Sequence, residues 1–124
     1  MPHPSGSIVV VDDDEEMRQA LSRLLAAAGF RATTYASAEA FLDAGAIADA
    51  DCLVLDVQLP GLSGLELCHV LQARGVQKPV VFITAYDDVE SRSSAGEAGA
   101  LAYLSKPFPG KSLLTVLAKA MAMS

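Results

Sequence analysis

Cys52-Leu53-Val54-Leu55-Asp56 sets four apolar residues directly before a carboxylate, and Val57-Gln58-Leu59-Pro60-Gly61-Leu62-Ser63-Gly64 then turns the chain. A continuous apolar run of strand length, with no polar alternation, suits a strand buried on both faces, as in a parallel sheet. The ligand-binding edge of an open parallel sheet lies at the carboxyl ends of its strands, so Asp56 falls on that edge. Three further runs repeat the pattern. Ile8-Val9-Val10-Val11 leads into Asp12-Asp13, Val80-Val81-Phe82-Ile83 into Thr84, and Leu101-Ala102-Tyr103-Leu104 into Ser105-Lys106. As neighbours in one sheet, these runs deliver three carboxylates, a hydroxyl and an ammonium to one rim.

The segments between the runs read as helices. After a lead-in over residues 1–6 and a strand over about 7–12, a helix over about 14–28 carries Met17, Leu21, Leu24, Leu25 and Ala28 on one stripe. Asp14, Glu15 and Glu16 complement its dipole, and Gly29 suits its end. Residues 30–36 alternate more and carry Thr33, Thr34 and Tyr35, which predicts an edge strand. Ser37 then caps a short helix with Phe41 and Leu42 facing inward. Ser63-Gly64-Leu65-Glu66 fits a capping box for a helix with Leu67, Cys68 and Leu71 inward. Asp87-Asp88-Val89-Glu90 caps a fourth helix that has almost no apolar stripe and holds Gly96 in its middle. It is predicted to be the least stable, since an interior Gly costs about 0.8–1.0 kcal/mol relative to Ala. Pro109 suits the first turn of a final helix carrying Leu113, Val116, Leu117, Ala120 and Met121. Five strands alternating with five helices predict an α/β fold, a parallel sheet covered on both faces.

Composition narrows the function. At 124 residues the chain suits one domain, over 7–124, and its 52% hydrophobic content argues against disorder. Nine basic against 15 acidic residues give −6, which disfavours direct binding to nucleic acid. No apolar run approaches the ~20 residues of a membrane span, and the N-terminus lacks the features of a signal peptide. The expected location is cytoplasmic, without membrane association. Cys52 and Cys68 read as buried free thiols, and His69 as a solvated helix residue.

The chemistry of the rim follows from its residue types. Clustered carboxylates stay ionised only beside a cation, and oxygen ligands without Cys or His favour a hard ion, Mg²⁺. Lys106 supplies a point charge suited to a phosphate oxygen, and Thr84 a hydroxyl donor. A carboxylate nucleophile such as Asp56 can accept a phosphoryl group as an aspartyl phosphate, with catalysis by positioning and charge neutralisation.

Val11-Asp12-Asp13-Asp14, Leu55-Asp56 followed by Pro60 and Gly64, Ile83-Thr84-Ala85 and Tyr103-Leu104-Ser105-Lys106-Pro107-Phe108 together resemble the motifs of response-regulator receiver domains of two-component signalling. The resemblance spans about residues 7–122. Ser37-Ala38-Glu39-Ala40-Phe41-Leu42 and Phe82-Ile83-Thr84-Ala85 are similar to receivers of the FixJ/NarL type. The resemblance implies a doubly wound, flavodoxin-like sheet of order 2-1-3-4-5. It also implies phosphorylation of Asp56 by the phosphohistidine of a sensor kinase or phosphotransfer protein. By the same resemblance Asp13 and Asp56 bind Mg²⁺ directly with the Gln58 carbonyl, and Asp12 acts through water. Lys106 and Thr84 hold the phosphoryl oxygens, Thr84 and Tyr103 are switch residues, and the bond before Pro107 is cis. The chain would then be a phosphorylation-dependent switch rather than a metabolic enzyme, signalling and dimerising through its helix 4–strand 5–helix 5 face. The rival readings are a phosphate-independent receiver-like interaction module and a haloacid-dehalogenase-type Mg²⁺ phosphohydrolase. The latter requires a second acid two residues after the nucleophile, where this chain has Gln58.

Overall fold

A five-stranded, wholly parallel sheet of order β2-β1-β3-β4-β5 runs through the molecule in a computed structural model that describes residues 6–45 and 47–122. The elements in chain order are β1 (Ser7–Val11), α1 (Glu15–Ala27), β2 (Arg31–Tyr35), α2 (Ala38–Ala44) and a 3-10 turn (Ile47–Asp49). They continue with β3 (Cys52–Asp56), α3 (Gly64–Ala73), β4 (Val80–Thr84), α4 (Val89–Glu97), β5 (Ala102–Ser105) and α5 (Gly110–Ala122). This is the doubly wound, flavodoxin-like α/β fold with five α-helices, in the strand order that the family resemblance implies.

The unbroken apolar runs have a simple cause. Side chains alternate across a strand, and here both faces are covered. From β3, Leu53 and Leu55 join a core with Phe41 of α2, Leu67 and Leu71 of α3 and Ala95 of α4. Cys52 and Val54 point the other way, into a second core with Leu21 and Leu25 of α1 and Leu113 and Leu117 of α5. Every residue of β3 and β4 is buried. Each fully buried Val, Leu, Ile or Phe side chain contributes about 1.5–3 kcal/mol, so the two cores dominate stability. β2 lies at one edge of the sheet, where its alternating sequence is tolerated.

Helix ends follow the sequence signals closely. The Asp14 and Asp88 carboxylates accept from the backbone N–H groups of Glu16 and Ser91, and the Ser37 hydroxyl from Ala40. Ser63 and Glu66 complete the predicted capping box. Several boundaries differ, among them those of β2, which covers Arg31–Tyr35 rather than residues 30–36. β1 ends at Val11, although the Asp12 backbone N–H still donates to the Tyr35 carbonyl at 3.1 Å. Ala28 is the exposed C-cap of α1 rather than part of its apolar stripe. Pro109 stands just before α5, where its carbonyl accepts from Ser112 N–H at 2.9 Å. Of the expected lead-in, residues 1–5 lie outside the described residues. Gly6 is buried, and its carbonyl accepts from Arg31 N–H at 3.0 Å.

Cys52 and Cys68 are buried and unbridged, and burial pushes the Cys52 thiol up to about 12. His69 is exposed. Among the described residues no helix is long and apolar enough to cross a membrane.

Candidate functional site: an acidic pocket at the strand ends

Strand register assembles the site. Val11 pairs with Leu55, so Asp12 and Asp56 each follow as the next residue at the carboxyl edge. Asp56 pairs with Ile83, and Thr84 with Ser105, which brings Thr84 and Lys106 to the same edge. The Lys106 N–H also donates to the Thr84 carbonyl at 2.7 Å. The Lys106–Pro107 peptide is cis.

Asp12 and Asp56 are buried carboxylates that share one ammonium. Lys106 Nζ donates to Asp12 Oδ2 at 2.8 Å and to Asp56 Oδ2 at 3.0 Å. Their other oxygens accept backbone bonds, Asp12 Oδ1 from Asp14 N–H and Asp56 Oδ1 from Gln58 N–H, each at 2.9 Å. Asp13 is exposed beside them. Asp12, Asp13 and Asp56 each present an oxygen within 4.8 Å of the others. Such an oxygen-only donor set fits a hard divalent cation.

The charge balance is incomplete without one. Burial, joined by repulsion from Asp12, raises the Asp56 pKa above the ordinary carboxylate value despite Lys106 and the Gln58 N–H. For Lys106, burial works against the charge, but the bonds to Asp12 and Asp56 outweigh it and its pKa lies above the usual lysine value. Three carboxylates against one ammonium leave a pocket that attracts a cation.

Thr84 is fully buried. Its hydroxyl accepts from Tyr86 N–H at 3.0 Å and makes a close contact with the Gln58 side-chain carbonyl, with the Tyr86 carbonyl an alternative acceptor at 3.1 Å. Tyr103, on β5, lies further along the same side. The Arg92 guanidinium sits 4.7 Å from its ring centroid, and its buried hydroxyl has no hydrogen-bond partner among the described residues. Burial and the nearby Asp87 and Asp88 carboxylates raise the Tyr103 pKa, and the Arg92 guanidinium opposes them only in part.

The sequence-predicted residues Asp12, Asp13, Asp56 and Lys106 therefore converge, with Thr84 one strand away and Gln58 in contact with both Asp56 and Thr84. Two further residues bear on the site: Gly64, which belongs to the quoted motif but was given no role there, and Arg18, which belongs to none. Gly64 passes so close to the acceptor strand that a Cβ there would sit 2.2 Å from the Asp56 carbonyl oxygen. The signal available was a glycine in the first turn of a helix where most residues would serve better. Arg18, one turn into α1, donates from Nη1 to the Asp12 carbonyl at 2.8 Å. Only a cation close behind the acidic tip marked it in the sequence.

Residues 8–118 match the response regulator receiver domain family. The transcriptional regulatory protein FixJ of Azorhizobium caulinodans is 40% identical over 115 residues, covering 93% of this chain and 54% of that protein. The DNA-binding transcriptional regulator NtrC of Escherichia coli K12 is 40% identical over 103 residues, 83% of this chain and 22% of that protein. The chain thus spans about half the length, or less, of these curated relatives. Among solved structures, the BeF3-activated DrrB receiver domain superposes with a TM-score of 0.86 at 32% identity, covering 96% of this chain and 99% of that one. The structure described as FixJ-N gives 0.85 at 32% identity, covering 95% and 94%. The chain belongs to the response regulator receiver domain family. Members are signalling domains of two-component systems and interact with histidine kinases.

Proposed function

We propose that this domain accepts a phosphoryl group on Asp56 from the phosphohistidine of a sensor kinase or phosphotransfer protein, and reads it out through the α4–β5–α5 face. The observation that carries the reading is the Lys106 ammonium held 3.0 Å from the Asp56 carboxylate, inside a pocket completed by Asp12 and Asp13. An Asp56 oxygen attacks phosphorus, the P–N bond breaks, and the imidazole nitrogen leaves with the electron pair. Lys106 and Thr84 bind the phosphoryl oxygens, so charge that builds up on them meets a fixed ammonium and a hydroxyl donor.

Asp13, Asp56 and the Gln58 carbonyl would hold Mg²⁺, with Asp12 acting through water. The ion when bound neutralises the approaching phosphoryl oxygens. Asp12 keeps Lys106 in place from the far side of the pocket, 2.8 Å from its ammonium. Engagement of Thr84 by the phosphoryl group draws its hydroxyl from Gln58 and Tyr86, and Tyr103 then changes position. A pre-existing equilibrium of the α4–β5–α5 surface is shifted, and two copies pair through that face. The domain assists its own phosphorylation and dephosphorylation and acts in the cytoplasm. Its charge of −6 keeps it off nucleic acid, so any DNA contact belongs to another part of a longer regulator.

Labelling tests this directly. With acetyl phosphate and Mg²⁺ the wild-type domain should gain one phosphoryl group, and Asp56→Asn should gain none. Equal labelling of the variant would move the acceptor elsewhere.

A further inference from the structure

We propose that Arg18 is a positioning residue for the acidic pocket, holding the Asp12–Asp13 peptide so that the Asp13 carboxylate stays in line with that of Asp56. The inference rests on the cation-binding reading of the pocket. Asp12 is fixed from four directions: its N–H by Tyr35, its carbonyl by Arg18, one carboxylate oxygen by Asp14 N–H and the other by Lys106. Asp13 has none of this. It is exposed, and among the described residues no hydrogen bond or ion pair reaches its carboxylate. Its orientation therefore depends on the backbone that carries it.

The carbonyl that Arg18 grips is part of that backbone. The peptide unit is planar, so the Asp12 oxygen, the Asp13 nitrogen and the Asp13 Cα move together. The 2.8 Å bond from Arg18 Nη1 sets the tilt of this plane and hence the direction in which the Asp13 side chain departs. The guanidinium presents its donors in a rigid fork, suited to fixing a carbonyl in one direction. Arg18 has no competing ionic task, since among the described residues it forms no salt bridge. Nor is it needed to start α1, which Asp14 caps.

Positioning and simple electrostatics make opposite forecasts. Removing a cation beside three carboxylates makes the pocket more negative, so Coulomb attraction alone would tighten Mg²⁺ binding. Loss of positioning weakens it. Groups that orient metal ligands typically change affinity by about 10–100-fold, and a contact acting through the main chain belongs at the low end.

The experiment is a Mg²⁺ titration of the wild type, Arg18→Gln, Arg18→Met and Arg18→Lys, followed by amide NMR. The metal-free unfolding midpoint is recorded alongside. The expected result is about tenfold weaker Mg²⁺ binding in the two uncharged variants, with partial recovery in Arg18→Lys, and a shifted or broadened Asp13 amide signal before metal is added. Using two uncharged variants keeps the test decisive if one of them does not fold. Unchanged or tighter binding in a folded uncharged variant, with wild-type binding intact, would overturn the role of Arg18 while leaving the pocket's function standing. A wild type that takes up no Mg²⁺ would overturn both.

Discussion

Helices α5 and α4 both cover the sheet, but they are held by different forces. α5 inserts Leu113, Leu117 and Ala120 into the core that it shares with α1. α4 buries only Ala95 and leaves Val89 86% exposed. Polar contacts hold it instead. Arg92 grips Asp87 through two bonds, of 2.6 and 3.2 Å, Ser105 donates to the same carboxylate at 2.6 Å, and Gln72 of α3 donates to the Ala98 carbonyl at 2.7 Å. Exposed ion pairs contribute little, whereas apolar burial contributes much. The element beside Thr84 is therefore the one that is cheapest to move, and the element behind Lys106 is the one that is not.

The largest expected effect comes from the apolar side. Leu117→Ala should lower unfolding stability by about 2–5 kcal/mol in denaturant titrations, because it opens a cavity in a closed core. Val89→Ala on α4 should fall within about 0.5 kcal/mol of wild type. Comparable losses would erase the distinction between the two helices.

A second test locates strain in the pocket rather than in α4. Because the folded-state pKa of Asp56 is raised, chiefly by burial, its charged form costs stability once the pH exceeds the unfolded value of about 3.9. The cost grows until the folded pKa is passed and is constant above it. In EDTA, Asp56→Asn should then melt at a higher temperature than wild type at pH 7, with the gain fading as the pH falls below about 4. A variant less stable than wild type at pH 7 would show that Asp56 is a net stabiliser.

The smallest effect is local. Arg92→Gln should speed amide exchange across residues 87–95 while leaving the global unfolding midpoint almost unchanged. A large drop in the midpoint would mean that the polar contacts of α4 support the whole fold.

Much of this was legible in the chain. Unbroken apolar runs ending in Asp12, Asp56, Thr84 and Lys106 marked the strands and their common edge, because a parallel sheet buried on both faces suppresses alternation. The missing stripe of α4 was equally visible. Much of what replaces the stripe was not, since Ser105 lies 18 residues from Asp87 and Ala98 lies 26 from Gln72, and no local pattern marks such pairs. Arg18 escaped for a related reason, and so did the part that Gly64 plays. Arg18 acts on a backbone carbonyl and leaves no motif, whereas Gly64, part of the family motif, acts by having no side chain. The Gln58 side chain turned towards Thr84 is likewise a product of register, not of spacing.

Hydrogen–deuterium exchange on the domain before and after phosphorylation at Asp56 tests the central claim most directly. The expected outcome is a change concentrated in residues 84–105, spanning the end of β4, α4 and β5, with β3 and the buried face of α5 unaltered. A response confined to α5, or spread evenly over the sheet, would contradict the account.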